Sequence, residues 1–160
     1  MRFFQEVKLL AFEKSKGMVA VETSSGYEKL DPYIEAGSLN ITPDAVQEAD
    51  SYRNANGALK RPNIMPLTIS KIEFNIKHTD EKTMDKAMSI LNRGTQIPGG
   101  IAAEKKVHVR FYNAEKSEYK FAWMYSPEKT FNVYGTYKGD GEAIYTPTRV
   151  ALISYGEKAS

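Results

Sequence analysis

Few side chains in this sequence have the types and spacing that catalysis or metal binding requires. The two histidines, His78 and His108, have no companion residues at metal-ligand spacing, and we expect both to be surface side chains. No serine lies in a nucleophile-elbow context, and no Walker-type or dinucleotide-binding glycine pattern occurs. The sequence therefore predicts no enzymatic activity, no cofactor and no metal.

Two acidic stretches offer carboxylates, but neither is typical of a catalytic or calcium site. Asp44, Glu48 and Asp50 cluster next to Arg53, where a solvated loop or a subunit contact is favoured over an active site. The segment at residues 138–142 superficially resembles a calcium loop. It has too few oxygen ligands at alternating positions, so we expect a β-turn.

Basic and aromatic residues interleave between residues 105 and 123, as they do in modules that bind nucleic acids. The basic residues are Lys105, Lys106, Arg110, Lys116 and Lys120, and the aromatic ones are Tyr112, Tyr119, Phe121 and Trp123. Three glutamates dilute the charge, and aromatic side chains that alternate along a strand usually belong to a core. We therefore expect these rings to be buried and no sequence-specific nucleic acid to bind.

The composition is that of a folded, soluble domain. With 160 residues, of which 41% are hydrophobic and 26% charged, the chain is long enough for one domain with its own core. Its 22 basic and 20 acidic residues leave a net charge of +2, which favours no dedicated nucleic-acid or acidic-membrane surface. No stretch approaches the roughly 18 apolar residues of a membrane span. The absence of cysteine excludes disulfides and thiolate metal sites.

The clearest strand runs from Thr68 to Lys77. Its apolar side chains alternate with polar ones, so Ile72, Phe74 and Ile76 are expected to face the core. A polar loop precedes this strand, with a turn at residues 56–57 (Asn-Gly) and a proline-bounded connection at residues 61–66. We interpret this region as a scaffold that presents a loop to a partner.

One amphipathic helix is predicted at about residues 79–93. Its apolar stripe recurs at i, i+3, i+4 and i+7 and consists of Met84, Ala87, Met88 and Leu91. Thr79 or Asp80 can cap the start of the helix, and Gly94 is placed to follow its end.

The other periodic segments are typical of strands, at residues 3–12, 18–23, 36–42, 106–113, 118–125, 130–138 and 143–155. Residues 45–51 could form an edge strand or a helical turn, Gly135 a bulge, and Pro147 an interruption of the last strand. We predict a mainly β fold: a β-sandwich or barrel of about 7–9 strands with one flanking α-helix. Residues 1–35 would form an N-terminal hairpin or an inter-subunit arm, and residues 36–160 the β-sandwich domain.

The polar loop and the strand after it resemble a family of small tail proteins of bacteriophages and prophages. The matching residues are 50–57 (DSYRNANG), Leu59, Arg61 and 70–75 (SKIEFN), and the closing residues 150–155 (VALISY) also fit the pattern of that family. The resemblance extends from about Gly37 to the C-terminus.

The resemblance implies a structural protein of the virion tail, of the tail-tube or baseplate type, built as a β-sandwich with one helix. Such subunits assemble into rings in the host bacterial cytoplasm, with a hexamer favoured and other phage tail proteins as partners. The expected subunit contact is the loop, where arginine can pair bidentately with carboxylates. Its residues are Tyr52, Arg53, Asn54, Asn56, Gly57 and Arg61.

A monomeric β-barrel that binds a carbohydrate or another small molecule is the competing interpretation. The chain has ten tyrosines, more than a core usually needs, and an aromatic ring with a polar tip suits a pocket wall or a rim. Size-exclusion chromatography with light scattering distinguishes the two interpretations, because a tail subunit should form rings or polymers.

Overall fold

The computed structural model describes residues 11–136 and 143–158, which contain thirteen strands and one α-helix. The strands are β1 (Val19–Thr23), β2 (Gly26–Lys29), β3 (Asn40–Ala49), β4 (Tyr52–Arg53), β5 (Leu59–Lys60), β6 (Asn63–Ile76), β7 (Thr79–Asp80), β8 (Lys106–Asn113), β9 (Glu118–Tyr125), β10 (Val133–Thr136), β11 (Ala143–Tyr145), β12 (Thr148–Ser154) and β13 (Glu157–Lys158). The helix α1 is Glu81–Gly94. The mainly β fold with one helix is thus confirmed. The predictions for residues 3–10 and for the turn at residues 138–142 lie outside the described residues.

The main sheet is antiparallel, with the strand order β3-β6-β12-β9-β8-β1-β2. Strand β13 continues the path of β12 along β6. Strands β10, β11 and β7 form a small second sheet, and β4 pairs with β5 alone. No helix among the described residues is long and apolar enough to cross a membrane.

The main sheet is strongly curved. Asp44 on β3 contacts Lys120 on β9, although β6 and β12 lie between these two strands in the sheet. In a flat sheet three strand spacings would separate β3 from β9 by about 14 Å. The sheet must therefore curl so that its two halves enclose one apolar interior.

Helix α1 closes that interior. Its buried side chains are Met84, Ala87, Ile90 and Leu91, while Met88 is half-buried, so the predicted apolar stripe is confirmed. Ile72, Phe74 and Ile76 are also buried, as the alternation predicted. The chain before residue 35 contributes to the same core, because Val19 and Val21 of β1 are fully buried. The predicted boundary at residue 35 stays a prediction.

The two ends of α1 are fixed in different ways. The Asp80 carboxylate accepts a hydrogen bond of 2.9 Å from the Thr83 amide, which caps the helix and lowers the pKa of Asp80. At the other end the expectation for Gly94 was wrong, because it is the last helical residue and does not follow the helix. A Cβ at this position would lie 2.6 Å from Val21 Cγ1 and 3.0 Å from Val107 Cγ1. Glycine is needed here because the helix approaches the sheet so closely.

Replacing Gly94 by alanine is expected to destabilise the protein by about 1–3 kcal/mol, because the added methyl group overpacks the core. Alanine would otherwise favour a helix by about 1 kcal/mol. Urea unfolding measures the change. Gly135→Ala is the matched control, since a Cβ there meets no atom of the described residues within 4 Å. A Gly94→Ala protein as stable as the control would contradict the close approach.

Pro43 and Pro66 lie within strands, contrary to the predicted strand end at residue 42 and the predicted connection at residues 61–66. The predicted strand at residues 36–42 begins at Asn40 and continues through Pro43 to Ala49. Of residues 45–51, for which an edge strand or a helical turn was predicted, residues 45–49 form an edge strand and residues 50–51 form neither. The predicted connection at residues 61–66 belongs in part to β6. Both Pro43 and Pro66 lie where the β3–β6 register shifts. A proline lacks the N–H that a paired strand residue donates, so a bulge accommodates it.

An ion pair joins the edge strand β2 to the last turn of α1. The Arg93 guanidinium donates to both carboxylate oxygens of Glu28, at 2.8 Å between Nη2 and Oε1. These hydrogen bonds, together with one from the Thr23 hydroxyl, lower the pKa of Glu28 below its ordinary value of 4.5.

This ion pair predicts an acid-dependent loss of stability. Because the pKa of Glu28 is lower in the folded protein, its contribution is complete above about pH 4.5 and is lost as the pH falls below that value. The pair is partly exposed, so we expect a loss of at most about 1 kcal/mol. Unfolding free energies measured between pH 6 and pH 3 should fall less steeply for Glu28→Gln than for the wild type. If the unfolding free energies of the two proteins fall equally with pH, Glu28 does not have this role.

Candidate interaction surfaces

A two-stranded ribbon extends from one edge of the main sheet. We define the ribbon as residues 45–67: the second half of β3, the first half of β6, and the small hairpin β4–β5 at the tip. Two register shifts lie along its β3–β6 pairing, between Thr42 and Ala45 and between Val46 and Glu48. Asp44 and Asp50 adopt positive φ angles of 46° and 57° at its base and near its tip. Bulges of this kind bend a strand and increase its twist.

Apolar side chains of the ribbon are exposed. The exposed fraction is 50% for Val46, 55% for Tyr52 and 51% for Ile64, and Leu59, Met65 and Leu67 are similarly exposed. The β6 part of this surface is not evident from the sequence, because the prolines at residues 62 and 66 are typical of a connection and not of a strand. Several half-exposed apolar side chains along one ribbon are typical of a surface that a partner covers.

The six residues predicted to form a subunit contact all lie at or beside the tip of the ribbon. The Asn54 side chain holds the turn, since its Oδ1 accepts hydrogen bonds of 3.0 Å from the amides of Asn56 and Ala58. Arg53 Nη1 donates to the Gly57 carbonyl at 2.9 Å. Gly57 has a φ angle of 84°, which confirms the predicted turn. The tip therefore has a defined shape.

The remaining two predicted residues flank the turn. Arg61 forms an ion pair with Glu48 across the ribbon, and the Tyr52 side chain is exposed. The acidic cluster suggested by the sequence is thus divided, because Glu48 pairs with Arg61 while Asp44 contacts Lys120. Glu48 and Asp44 therefore lie in two separate ion pairs.

A buried polar cluster anchors the base of the ribbon. Lys120 contacts Asp44, and its Nζ lies 3.7 Å from Glu157 Oε1. The Lys120 side chain is 10% exposed, and each of the two carboxylates is 13% exposed. Thr68 donates to Asp44 at 3.0 Å, and Ser70 donates to Glu157. The cluster connects β3, β6, β9 and β13 at the point where the ribbon leaves the sheet.

The outer face of the main sheet carries a second candidate surface. We define the aromatic face as Tyr27, His108, Tyr119, Phe121 and Trp123. The prediction that the aromatic residues of β9 are core was wrong, because Ala122 and Met124 point inward while Phe121 is 51% exposed. The ring of Phe121 stacks on His108 with a centroid distance of 6.1 Å.

Polar groups organise this aromatic face. His108 Nδ1 lies 3.0 Å from both the Tyr27 hydroxyl and Glu22 Oε1, and the Arg110 guanidinium lies 4.7 Å from the centre of the Tyr27 ring.

The other histidine, His78, is exposed. Within residues 11–136 and 143–158, no group of three or more histidines and carboxylates could hold a metal ion.

A cavity of about 470 Å³ lies between the second half of α1, the start of β8 and the segment after β9. Its lining includes Leu91, Val107 and Phe131 on the apolar side and Lys105 and Lys129 on the polar side. Its described lining includes no tyrosine, in contrast to the pocket that the competing interpretation expects.

Comparisons with known proteins give a family and two matching chains among the solved structures, one of which is described here. No curated protein sequence matches the chain. This solved structure is described as "Tail of empty GTA particle computed with helical refinement, C6 symmetry". It has a TM-score of 0.47 and 11% sequence identity, over 93% of this chain and 99% of the other. A likeness at this level does not extend to a shared function or assembly.

The family match covers most of the fold. Residues 24–155 match the profile of a group described as "Family of unknown function (DUF6711)". The matched segment contains α1 and every described strand except β1 and β13. The chain therefore belongs to this family of unknown function, DUF6711.

Proposed function

We propose that the protein is a structural component of a phage-type tail and that it assembles with copies of itself through the ribbon. The observation that carries this proposal is the exposure of apolar side chains along the ribbon, Val46 and Ile64 among them. A two-stranded ribbon is at best marginally stable alone, so burial against a partner would both order it and remove these side chains from water.

The resemblance of the ribbon tip and of β6 to phage tail proteins supports the finer part of the proposal. We infer a closed ring, with six subunits favoured, in the tail tube or the baseplate of a virion. In such a ring the ribbon of one subunit contacts a different surface of the next, since head-to-tail contacts close into rings by rotation. The fixed turn at Asn54 suits this role because less conformational entropy is lost on binding.

Arg53 supplies the charged contact in this arrangement. Only one of its N–H donors is used by a described hydrogen bond, to the Gly57 carbonyl, which leaves others for a carboxylate of the neighbour. Arg53→Ala is expected to leave the monomer folded and to weaken assembly about two- to tenfold, as for a charge at an interface rim. Arg149→Ala is the matched control, because Arg149 is an exposed arginine on the main sheet. Sedimentation velocity compares the two variants, and equal assembly would remove Arg53 from the contact.

The direct test of the function is the mass of the purified protein in solution. Size-exclusion chromatography with light scattering should show a species several times the chain mass of 18.0 kDa. Negative-stain electron microscopy should show that this species is a ring or a short tube. A single-chain mass at every concentration up to about 1 mM, the range of weak association, would contradict the proposal.

The aromatic face favours a second candidate function, the binding of a carbohydrate or another small molecule by a monomer. The exposed ring of Phe121, stacked on the partly buried ring of His108, offers a flat apolar surface of the kind that sugars cover. The chain has one tryptophan, Trp123, and it lies on this face, so its fluorescence reports binding directly. If the protein is a monomer and its tryptophan fluorescence changes with added oligosaccharide, carbohydrate binding is favoured over a structural role in a tail.

A further inference from the structure

The cavity beside α1 combines an apolar wall with a polar end. Met88, Leu91 and Val107 line one part of it, and Phe131 stands at its side. The polar lining consists of Asn92, Thr95, Gln96, Lys105, Ser126 and Lys129. At about 470 Å³ the cavity falls in the size range of sites for small ligands.

Ser126 provides an unsatisfied hydroxyl in the lining. The residue is 5% exposed, and its Oγ has no hydrogen-bond partner among the residues that the structure describes. Its backbone amide donates to the Lys105 carbonyl at 3.2 Å, which fixes Ser126 beside Lys105. A buried hydroxyl without a partner costs free energy, so its presence indicates that something else accepts its hydrogen bond.

The two lysines of the cavity also lack carboxylate partners in the described part of the chain. Burial lowers the pKa of Lys129, and the positive charge of Lys105 lowers it further. Two like charges at one site repel each other unless an anion lies between or beside them. The described chain places no ion-pair partner with either ammonium group, although it pairs many of its other charges.

We propose that this cavity binds a small anionic ligand, with a phosphate or carboxylate group at Lys105, Lys129 and Ser126 and an apolar part against Leu91 and Phe131. The ammonium groups would neutralise the anion, and the Ser126 hydroxyl would donate to it. Charge-assisted hydrogen bonds of this kind are about twice as strong as neutral ones. This site is independent of the ribbon, so it can exist whether or not the protein assembles.

The test compares phenyl phosphate with inorganic phosphate as probes, followed in 15N-labelled protein by amide NMR shifts up to about 10 mM, which saturates a millimolar site. Phenyl phosphate should bind at least about tenfold more tightly than inorganic phosphate, because only the ring contacts the apolar wall. Shifts should centre on residues 102–107, 126–131 and the last turn of α1.

Variants then separate the site from general anion binding. Lys129→Gln and Ser126→Ala should each weaken phenyl phosphate binding about tenfold. Lys86→Gln removes an exposed lysine of α1 that does not line the cavity, and it should leave phenyl phosphate binding unchanged. In the wild type, phenyl phosphate should also raise the pKa of Lys129, because an anionic ligand stabilises the protonated form of the amine. The pKa is measured from the Cε resonance of Lys129. No binding of either probe, or equal binding by all variants, would overturn the proposal.

Discussion

Replacing both Val46 and Ile64 by threonine is expected to abolish ring assembly at micromolar concentration while the monomer stays folded. Threonine keeps the branched shape and the strand preference of valine and isoleucine, so the ribbon should persist. Each change replaces a methyl or ethyl group with a hydroxyl that water solvates well. Each side chain is already half-exposed, so burial on assembly contributes about 1 kcal/mol apiece. Together they should weaken association by at least about tenfold.

The matched control for this double variant is Val133→Thr. Val133 is 58% exposed on β10 of the small sheet, away from the ribbon. Sedimentation velocity over a concentration series should give the wild-type distribution for Val133→Thr and a monomer for the double variant. If both variants assemble like the wild type, the ribbon is not the contact. If the double variant unfolds at the same urea concentration as the wild type, loss of assembly cannot be ascribed to misfolding.

Lys120→Met is expected to produce the largest loss of stability, about 3 kcal/mol. Methionine fills a similar volume but leaves Asp44 and Glu157 side by side in a region that is only about one-tenth exposed. The loss of the cation that balances these two desolvated carboxylates is the costly step. Because the cluster joins the ribbon to the sheet, the variant should also loosen the base of the ribbon.

Two further proteins test this explanation. Lys71→Met removes a lysine that pairs with Glu73 at 2.8 Å on the surface, and we expect a change below about 1 kcal/mol. Adding Asp44→Asn and Glu157→Gln to Lys120→Met should restore part of the lost stability, since the carboxylates no longer repel. Urea unfolding of all three proteins supplies the comparison. Equal losses for Lys120→Met and Lys71→Met would contradict a special role for the buried cluster.

The parts of the fold that local patterns determine could be predicted. Alternation identified the core residues of β6, and the i, i+3, i+4 spacing with the Asp80 cap identified α1. The hairpin β8–β9 was also predicted with its correct bounds. In each case the signal lies within a few neighbouring residues, where secondary-structure periodicity acts.

The aromatic face could have been predicted from the same hairpin. The four-residue loop at residues 114–117 sets the register, which pairs Arg110 with Phe121 and His108 with Trp123. The rings of β9 therefore stand beside the polar residues of β8, on the side away from Val107 and Val109. The loop length thus indicates an outward-facing set of rings, whereas the usual burial of aromatic residues favours the opposite orientation.

Other features depend on contacts that no local pattern reveals. Asp44 and Lys120 are 76 residues apart, and only the curvature of the sheet brings them together. The requirement for Gly94 comes from Val21 and Val107, which lie on two other strands. The ribbon was hidden because Pro43 and Pro66 resemble strand ends, whereas bulges let β3 and β6 continue past them.

The most direct test of the account is photo-cross-linking from the tip of the ribbon. Tyr52 is replaced by benzoylphenylalanine, an aromatic residue that fits the same exposed position, and the purified protein is irradiated. The account predicts adducts between two copies of the chain, with the linked peptide lying outside the ribbon of the second copy. The same probe at Phe121 of the aromatic face serves as the comparison. Only single-chain products from Tyr52, under conditions where the protein is otherwise fully assembled, would contradict the claim that the ribbon joins the subunits.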